Sequence, residues 1–138
     1  MLTPKELLQI ETLLKENKLP YEDIVSSKVI FFSKKKEDTI IGCIGIEEFG
    51  TDALLRSFAV SDAFKGKAIG KELLTDLLEY LKSKHFKTVH LLTTTAASYF
   101  SNYGFVVSTK NTAPESIKNT QEFTSICPDS AIYMTLGV

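Results

Sequence analysis

One helical stripe constrains this chain more than any other feature. Ile69, Leu73, Leu74, Leu77, Leu78 and Leu81 recur at helical spacing, with polar residues between them. The stripe lies between two β-rich runs. Ala53 to Val60 reads Ala-Leu-Leu-Arg-Ser-Phe-Ala-Val and is joined to the helix by a polar loop, Ser61 to Lys67. Val89 to Thr95 follows after the helix ends near Lys84-His85. A strand, a helix and a second strand in that order predict a right-handed crossover with parallel pairing. The fold class is therefore α/β.

The first half of the chain carries a different pattern. Thr3-Pro4-Lys5-Glu6 predicts a capped helix start, with Thr3 and Glu6 as a capping box and Pro4 in the first helical position. Leu7, Leu8, Ile10, Leu13 and Leu14 supply its apolar stripe, and Asn17 to Pro20 ends it. Tyr21 to Ile24 reads as a loop or a short turn. Val29 to Phe32 is a strand, the Lys34-Lys35-Lys36-Glu37-Asp38 run a solvated hairpin tip, and Ile40 to Ile46 the returning strand. Gly42 and Gly45 in that strand predict close packing or a bulge. With Ala53 to Val60 these runs form an antiparallel meander. Downstream, Ala96 to Asn102 reads as a short helix closed by Gly104, Phe105 to Val107 as a strand, Pro114 to Phe123 as a loop with helical character, and Ala131 to Leu136 as a closing strand.

Composition narrows the function classes. A length of 138 residues predicts one domain, residues 1–138. Net charge is −1, without the basic excess that phosphate-backbone binding requires, so nucleic acid is not expected as a partner. No apolar run approaches the ~20 residues of a membrane-spanning helix, and Met1 to Glu6 has no apolar signal core. No membrane partner and a cytoplasmic location are the resulting expectations. Cys43 and Cys127 are too few for a disulfide framework or a thiolate zinc site and read as small core residues. His85 and His90 have no ligand partner at metal spacing, so no metal is expected. Fifteen of the 16 basic residues are lysine, and Arg56 is the only arginine.

The chemistry concentrates where the strand ending at Val60 feeds the helix. Helix N-termini carry unpaired N–H groups and a positive dipole end. Here Gly66, Ala68 and Gly70 let an anion approach the backbone, and Lys65, Lys67 and Lys71 add positive charge. That is a phosphate cradle or a helix start with solvated lysines. Its spacing is neither that of a Walker loop nor that of a dinucleotide fingerprint.

On these residues the sequence resembles the GNAT acetyltransferase family. The family's Arg/Gln-x-x-Gly-x-Gly/Ala signature matches Lys65, Ala68 and Gly70 after Phe58-Ala59-Val60, with lysine in place of Arg/Gln and alanine in place of the first glycine. The later helix running into Gly-Phe matches Ala97 to Phe105. Gly42-Cys43, Leu91-Leu92-Thr93-Thr94, Tyr99-Phe100 and Pro114-Glu115-Ser116 look like the acetyltransferase domain of N-acetylglutamate synthases. Leu54-Leu55-Arg56-Ser57, Thr93-Thr94-Thr95, Glu122-Phe123 and Cys127-Pro128-x-Ser130-Ala131 look like the small arsenic-resistance-associated members.

The resemblance implies a GNAT-type mixed, mostly antiparallel sheet with a splayed parallel strand pair, flanked by helices. It implies acetyl-CoA as cosubstrate and a small-molecule amine, of amino-acid type, as acceptor, with no metal. Dimers through the late strands are common in the family, so a homodimer is open. Cofactor binding would fall to Phe58, Ala59 and Val60 through main-chain groups, and to Lys65, Gly66, Lys67, Ala68, Ile69, Gly70 and Lys71 at the cradle. A main-chain N–H at Phe58 would polarise the acetyl carbonyl.

Further roles rest on residue chemistry. Arg56 is either a bidentate clamp on an acceptor carboxylate or a bridge to Glu47 or Glu48. Adjacent strand residues face opposite ways, so at most one of Glu47 and Glu48 meets the cleft; the resemblance to the arsenic-associated members, which also carry Glu there, makes Glu47 the candidate base, with a solvated edge charge as the alternative. Thr93, Thr94 and Glu122 are candidate acceptor contacts. The family's usual tyrosine acid falls at Phe100, which leaves Tyr99 a relay or a packing residue. Two other readings stay open: another amine as acceptor (an aminoglycoside, a polyamine or a protein N-terminus), and a CoA-binding sensor without turnover.

Overall fold

The computed structural model describes residues 2–126 and 130–138, so Cys127 and Pro128 lie outside the described residues. Helix α1 spans Pro4–Glu16, and its capping box forms as the sequence predicts. The Glu6 N–H donates to Thr3 Oγ1 at 3.1 Å, and the Thr3 N–H donates to Glu6 Oε1 at 3.0 Å. Strands β1 (Ile30–Lys36), β2 (Thr39–Phe49) and β3 (Asp52–Val60) form the antiparallel meander. Helix α2 (Ile69–Ser83) leads to β4 (Thr88–Thr93), followed by α3 (Ala97–Ser101), β5 (Val106–Ser108), α4 (Glu115–Lys118) and β6 (Ile132–Gly137).

The sheet order is β1-β2-β3-β4-β6-β5, and β3 with β4 is its parallel pair among otherwise antiparallel neighbours. Helix α2 lays Leu73, Leu74, Leu77 and Leu81 on Ile44, Ile46, Leu55 and Leu91. Full burial of each such leucine contributes about 1.5–3 kcal/mol. Helix α1 covers another patch with Ile10, Leu13 and Leu14 against Cys43 and Ala59. Gly42 and Gly45 are close-approach positions. A Cβ on Gly42 would sit 2.9 Å from Ile69 Cγ2, and one on Gly45 would sit 2.6 Å from Val29 Cγ1.

The hairpin differs from expectation. Strand β1 runs through the lysines to Lys36, and the turn is confined to Glu37 and Asp38. Two lysines are held by acids on the helices: Lys34 by Asp76 at 3.0 Å and Lys35 by Glu6 at 2.5 Å. These partners lie far off in sequence, so local polarity alone read the run as a tip.

Candidate active site

Strand β3 pairs with β4 only through Asp52, Ala53 and Leu54, opposite Thr88, Val89 and His90. Beyond that point the two strands diverge. The cause is visible in β3 itself. Ser57 takes φ +54°, and the β2 register slips between Cys43 and Gly45, which face Ala59 and Arg56. One extra residue on a strand reverses the faces of all that follow. Leu55 and Phe58 therefore both join the α2 side, whereas Ala59 turns to the α1 side. The opening is a cavity of about 410 Å³. Its walls are Leu55 to Phe58 on one strand, Leu91 to Ala96 on the other, Asn17 to Pro20 from the end of α1, and Tyr99, Phe100, Glu122 and Ala131.

A second cavity, of about 450 Å³, adjoins the start of α2. Ala59, Val60, Lys65, Gly66, Ala68, Ile69, Gly70 and Lys71 line it together with Phe58 and Tyr99, which line the first cavity as well. Phe58 and Tyr99 thus mark where the two cavities join. Ala68 is the N-cap of α2 in a left-handed conformation, φ +65°, and Gly66 has φ +78°. The first helical bond runs from the Glu72 N–H to the Ala68 carbonyl at 3.0 Å. The N–H groups of Gly66 to Lys71 have no acceptor among the described residues. Six free donors at a positive dipole end suit a pyrophosphate. A Cβ on Gly70 would meet the Tyr99 hydroxyl at 3.2 Å and the Phe58 ring at 3.5 Å, so only hydrogen fits there without displacement. Of the expected cradle residues, Lys67 does not line the cavity, and the Lys65 ammonium is bound to Asp62 at 2.8 Å.

The sequence model of the acetyltransferase (GNAT) family matches residues 5–105. The chain belongs to the GNAT family. It is an acyltransferase, with acetyl-CoA as its cosubstrate. No curated protein matches the sequence. Among solved structures, it is similar to Mycobacterium tuberculosis Rv2747 in complex with CoA, at TM-score 0.78 and 18% identity over 97% of this chain and 95% of that one. It is similar to Neisseria gonorrhoeae N-acetylglutamate synthase complexed with CoA and N-acetyl-glutamate, at TM-score 0.78 and 14% identity, covering 97% of this chain but 32% of the synthase. It is also similar to the Escherichia coli ribosomal-protein-S18-alanine N-acetyltransferase, at TM-score 0.74 and 17% identity over 99% and 90%. Likeness at these identities establishes the fold, and the family match establishes the membership.

The lone arginine of this GNAT chain is wholly buried. Arg56 Nη1 donates to Asp23 Oδ2 at 2.5 Å and to Glu47 Oε2 at 3.0 Å, Nη2 donates to Asp23 Oδ1 at 2.5 Å, and Nε donates to Ser57 Oγ at 3.1 Å. Glu122 Oε1 stands 3.3 Å from Nη2. The guanidinium therefore meets Asp23 with both prongs and two further carboxylates besides. Of the two bridges the sequence allowed, the one to Glu47 forms. Glu48 faces the other way and accepts from the Tyr80 hydroxyl at 3.1 Å. Asp23, in a segment read only as loop or turn, was the partner missed.

Burial and pairing compete on these acids. Burial raises the Asp23 carboxyl, but bonds from Arg56 and Ser27 outweigh it and hold the group below its usual value. For Glu47 burial prevails over the Arg56 bond, and its carboxyl stays above the usual value. Glu47 lines neither cavity, whereas Glu122 lines the first. The geometry thus places Glu122, not the candidate base Glu47, on the cleft wall.

Other expected positions sort clearly. Thr93 and Thr94 line the first cavity, and Thr93 Oγ1 also accepts from the Ala96 N–H at 3.0 Å. Phe100 is buried in the α2-side core. Tyr99 lines both cavities, with its phenol pushed up by burial and by neighbouring Tyr103. Asn17 also reaches the cleft and donates from Nδ2 to the Val60 carbonyl at 3.3 Å. Cys43 is a core thiol, raised by burial to about 12. His90 is not isolated as its sequence neighbours suggest. Nε2 is 2.7 Å from Asp52 Oδ1 and Nδ1 is 2.7 Å from the Tyr133 hydroxyl. Among the described residues no group of acids, histidines and cysteines could hold a metal, and no helix is long and apolar enough to cross a membrane.

Proposed function

We propose that this GNAT enzyme transfers the acetyl group of acetyl-CoA to the amine of an amino acid or close analogue, one molecule at a time in the 410 Å³ cavity. The carrying observation is the buried Glu122 carboxylate on the wall of a small cleft that runs into the α2 cradle. The cleft suits a compact acceptor, and a carboxylate there attracts an ammonium.

In this reading the residues divide the work. Gly66, Ala68, Ile69, Gly70 and Lys71 hold the pyrophosphate through main-chain donors and charge. Ala59 and Val60 offer main-chain groups to the pantetheine arm. When bound, acetyl-CoA supplies an activated thioester. The amine attacks directly, without a covalent enzyme intermediate. Phe58 presents its N–H beside the cleft to polarise the acetyl oxygen. Glu122 orients the ammonium and draws off its proton, directly or through water. Thr93 and Thr94 bound the acceptor on the β4 side. Arg56, within the cavity wall, fixes Glu122, and Glu47 holds Arg56 from behind.

Thiol release from acetyl-CoA, scanned over amino acids, polyamines and an aminoglycoside, tests this reading. The expectation is turnover with one or more amino acids and a roughly ten- to hundredfold loss of kcat/KM in Glu122→Gln, equal to about 1.5–3 kcal/mol for a lost charge-assisted contact. Turnover confined to polyamines or aminoglycosides would overturn the acceptor class. CoA binding with no thiol release for any amine would make the protein a sensor.

A further inference from the structure

Three charged side chains line the first cavity among the described residues: Lys18, Arg56 and Glu122. Arg56 has no exposed side-chain surface and is engaged by Asp23, Glu47 and Glu122. It has no free face for an incoming anion. Three carboxylates around one guanidinium also leave the wall at Arg56 with more acid than base. An acceptor carboxylate is repelled there, and an ammonium is drawn in. The remaining cation on the wall is Lys18, which is exposed and has no ion-pair partner among the described residues.

Lys18 is held by its backbone. It follows the α1 C-cap Asn17 with φ +58°, its N–H donates to the Lys15 carbonyl at 3.0 Å, and the Leu19 N–H donates to the Leu14 carbonyl at 2.9 Å. Helix ends of this form favour glycine or asparagine at that residue. A lysine is therefore disfavoured by the backbone here, yet it puts on the cavity wall a cation that no acid among the described residues holds.

We propose that Lys18, rather than Arg56, reads the carboxylate of the acceptor, so that the substrate lies with its ammonium toward Glu122 and its acid group toward the α1 end. This rests on the amino-acid acceptor proposed above. It makes Lys18 a specificity-determining residue with no part in the chemistry.

The test compares kcat/KM for an amino acid with that for its own amide, in wild type, Lys18→Met and Lys18→Gly. Glycine suits the left-handed backbone, so the second variant loses the charge without a folding penalty at that position. Wild type should prefer the acid, and both variants should lose at least about fivefold of that preference, with activity on the amide and the melting shift given by CoA unchanged. Fivefold corresponds to ~1 kcal/mol. In wild type the preference should also shrink in ~0.5 M salt, because an exposed ion pair is screened. If wild type prefers the acid and the variants keep that preference, Lys18 is refuted while the amino-acid reading stands. If wild type shows no acid preference, the amino-acid reading fails and the role of Lys18 falls with it. Equal losses on acid and amide would mark Lys18 as structural and refute the proposal.

Discussion

Replacing Arg56 by methionine removes the one cation that faces three buried acids. Asp23, Glu47 and Glu122 are only 3%, 5% and 6% exposed. Asp23 and Glu47 line neither cavity and cannot reach water without opening the fold, and Glu122 meets it only at the cleft wall. Stripping the partner from a buried ion pair typically costs about 3–5 kcal/mol, because the remaining charge stays desolvated. Methionine fills much of the arginine's volume, so the loss is electrostatic and little of it is cavity. At roughly 3–5 °C per kcal/mol for a chain of this size, Arg56→Met should melt roughly 10–20 °C lower at pH 7.

The pH dependence separates this account from simple mispacking. In wild type the lowered Asp23 carboxyl stabilises the fold above its ordinary value of about 3.9, and that contribution is lost as pH falls through the folded-state value. The raised Glu47 carboxyl acts with opposite sign. Its ionisation costs stability as pH climbs from the ordinary value of about 4.3 through the folded-state value. Without Arg56, Asp23 and Glu47 lose the bonds that hold their carboxyls down, and both move up. The gap in melting temperature between wild type and Arg56→Met should then narrow from pH 7 to pH 5. Adding Glu47→Gln to Arg56→Met should recover stability at pH 7. A drop below about 3 °C, or a gap independent of pH, would refute the buried-charge argument.

Two further outcomes follow from the cradle. Gly70→Val should keep the fold, because its Cβ presses only on the Tyr99 hydroxyl at 3.2 Å and the Phe58 ring edge, yet lose most of the CoA-induced melting shift. In wild type that shift is worth about 2.7 kcal/mol at a hundred times the dissociation constant. Thermal denaturation with and without CoA checks it, and an undiminished shift would move the pyrophosphate elsewhere. Ala68→Gly should relieve the left-handed strain at φ +65° and raise stability by about 0.5–1 kcal/mol, measured by urea denaturation.

Much of the fold was legible because its signals are local. The capping box at Thr3, the leucine stripe of α2 and the strand-helix-strand step into β4 each need only nearby residues. The cradle was legible for the same reason, since Gly66, Ala68 and Gly70 sit at the start of one helix. The Lys34 to Lys36 run failed as a turn because its pairs with Asp76 and Glu6 cross to other elements. His90 failed likewise. Asp52 and Tyr133 lie 38 and 43 residues away, and only the β3–β4–β6 register brings them together.

The site shows a sharper limit. A single arginine in a lysine-rich chain signals that fork geometry is used, and both prongs of Arg56 do meet a carboxylate. The carboxylate is the protein's own Asp23. Residue type reveals the demand for bidentate pairing, whereas the identity of the partner depends on which loop closes over the strand. The bulge at Ser57 escaped for a related reason. Leu-Leu-Arg-Ser-Phe-Ala-Val has no glycine to mark a positive φ, and the slip shows only in the pairing against Cys43 and Gly45. Yet that slip puts Phe58 beside the cleft and leaves Arg56 in its wall, engaged by acids. The wall's arginine charge is thus already spent on the protein's own acids, and under the acceptor proposed above the amine would be met by Glu122 and the acid group by a cation from outside the strand.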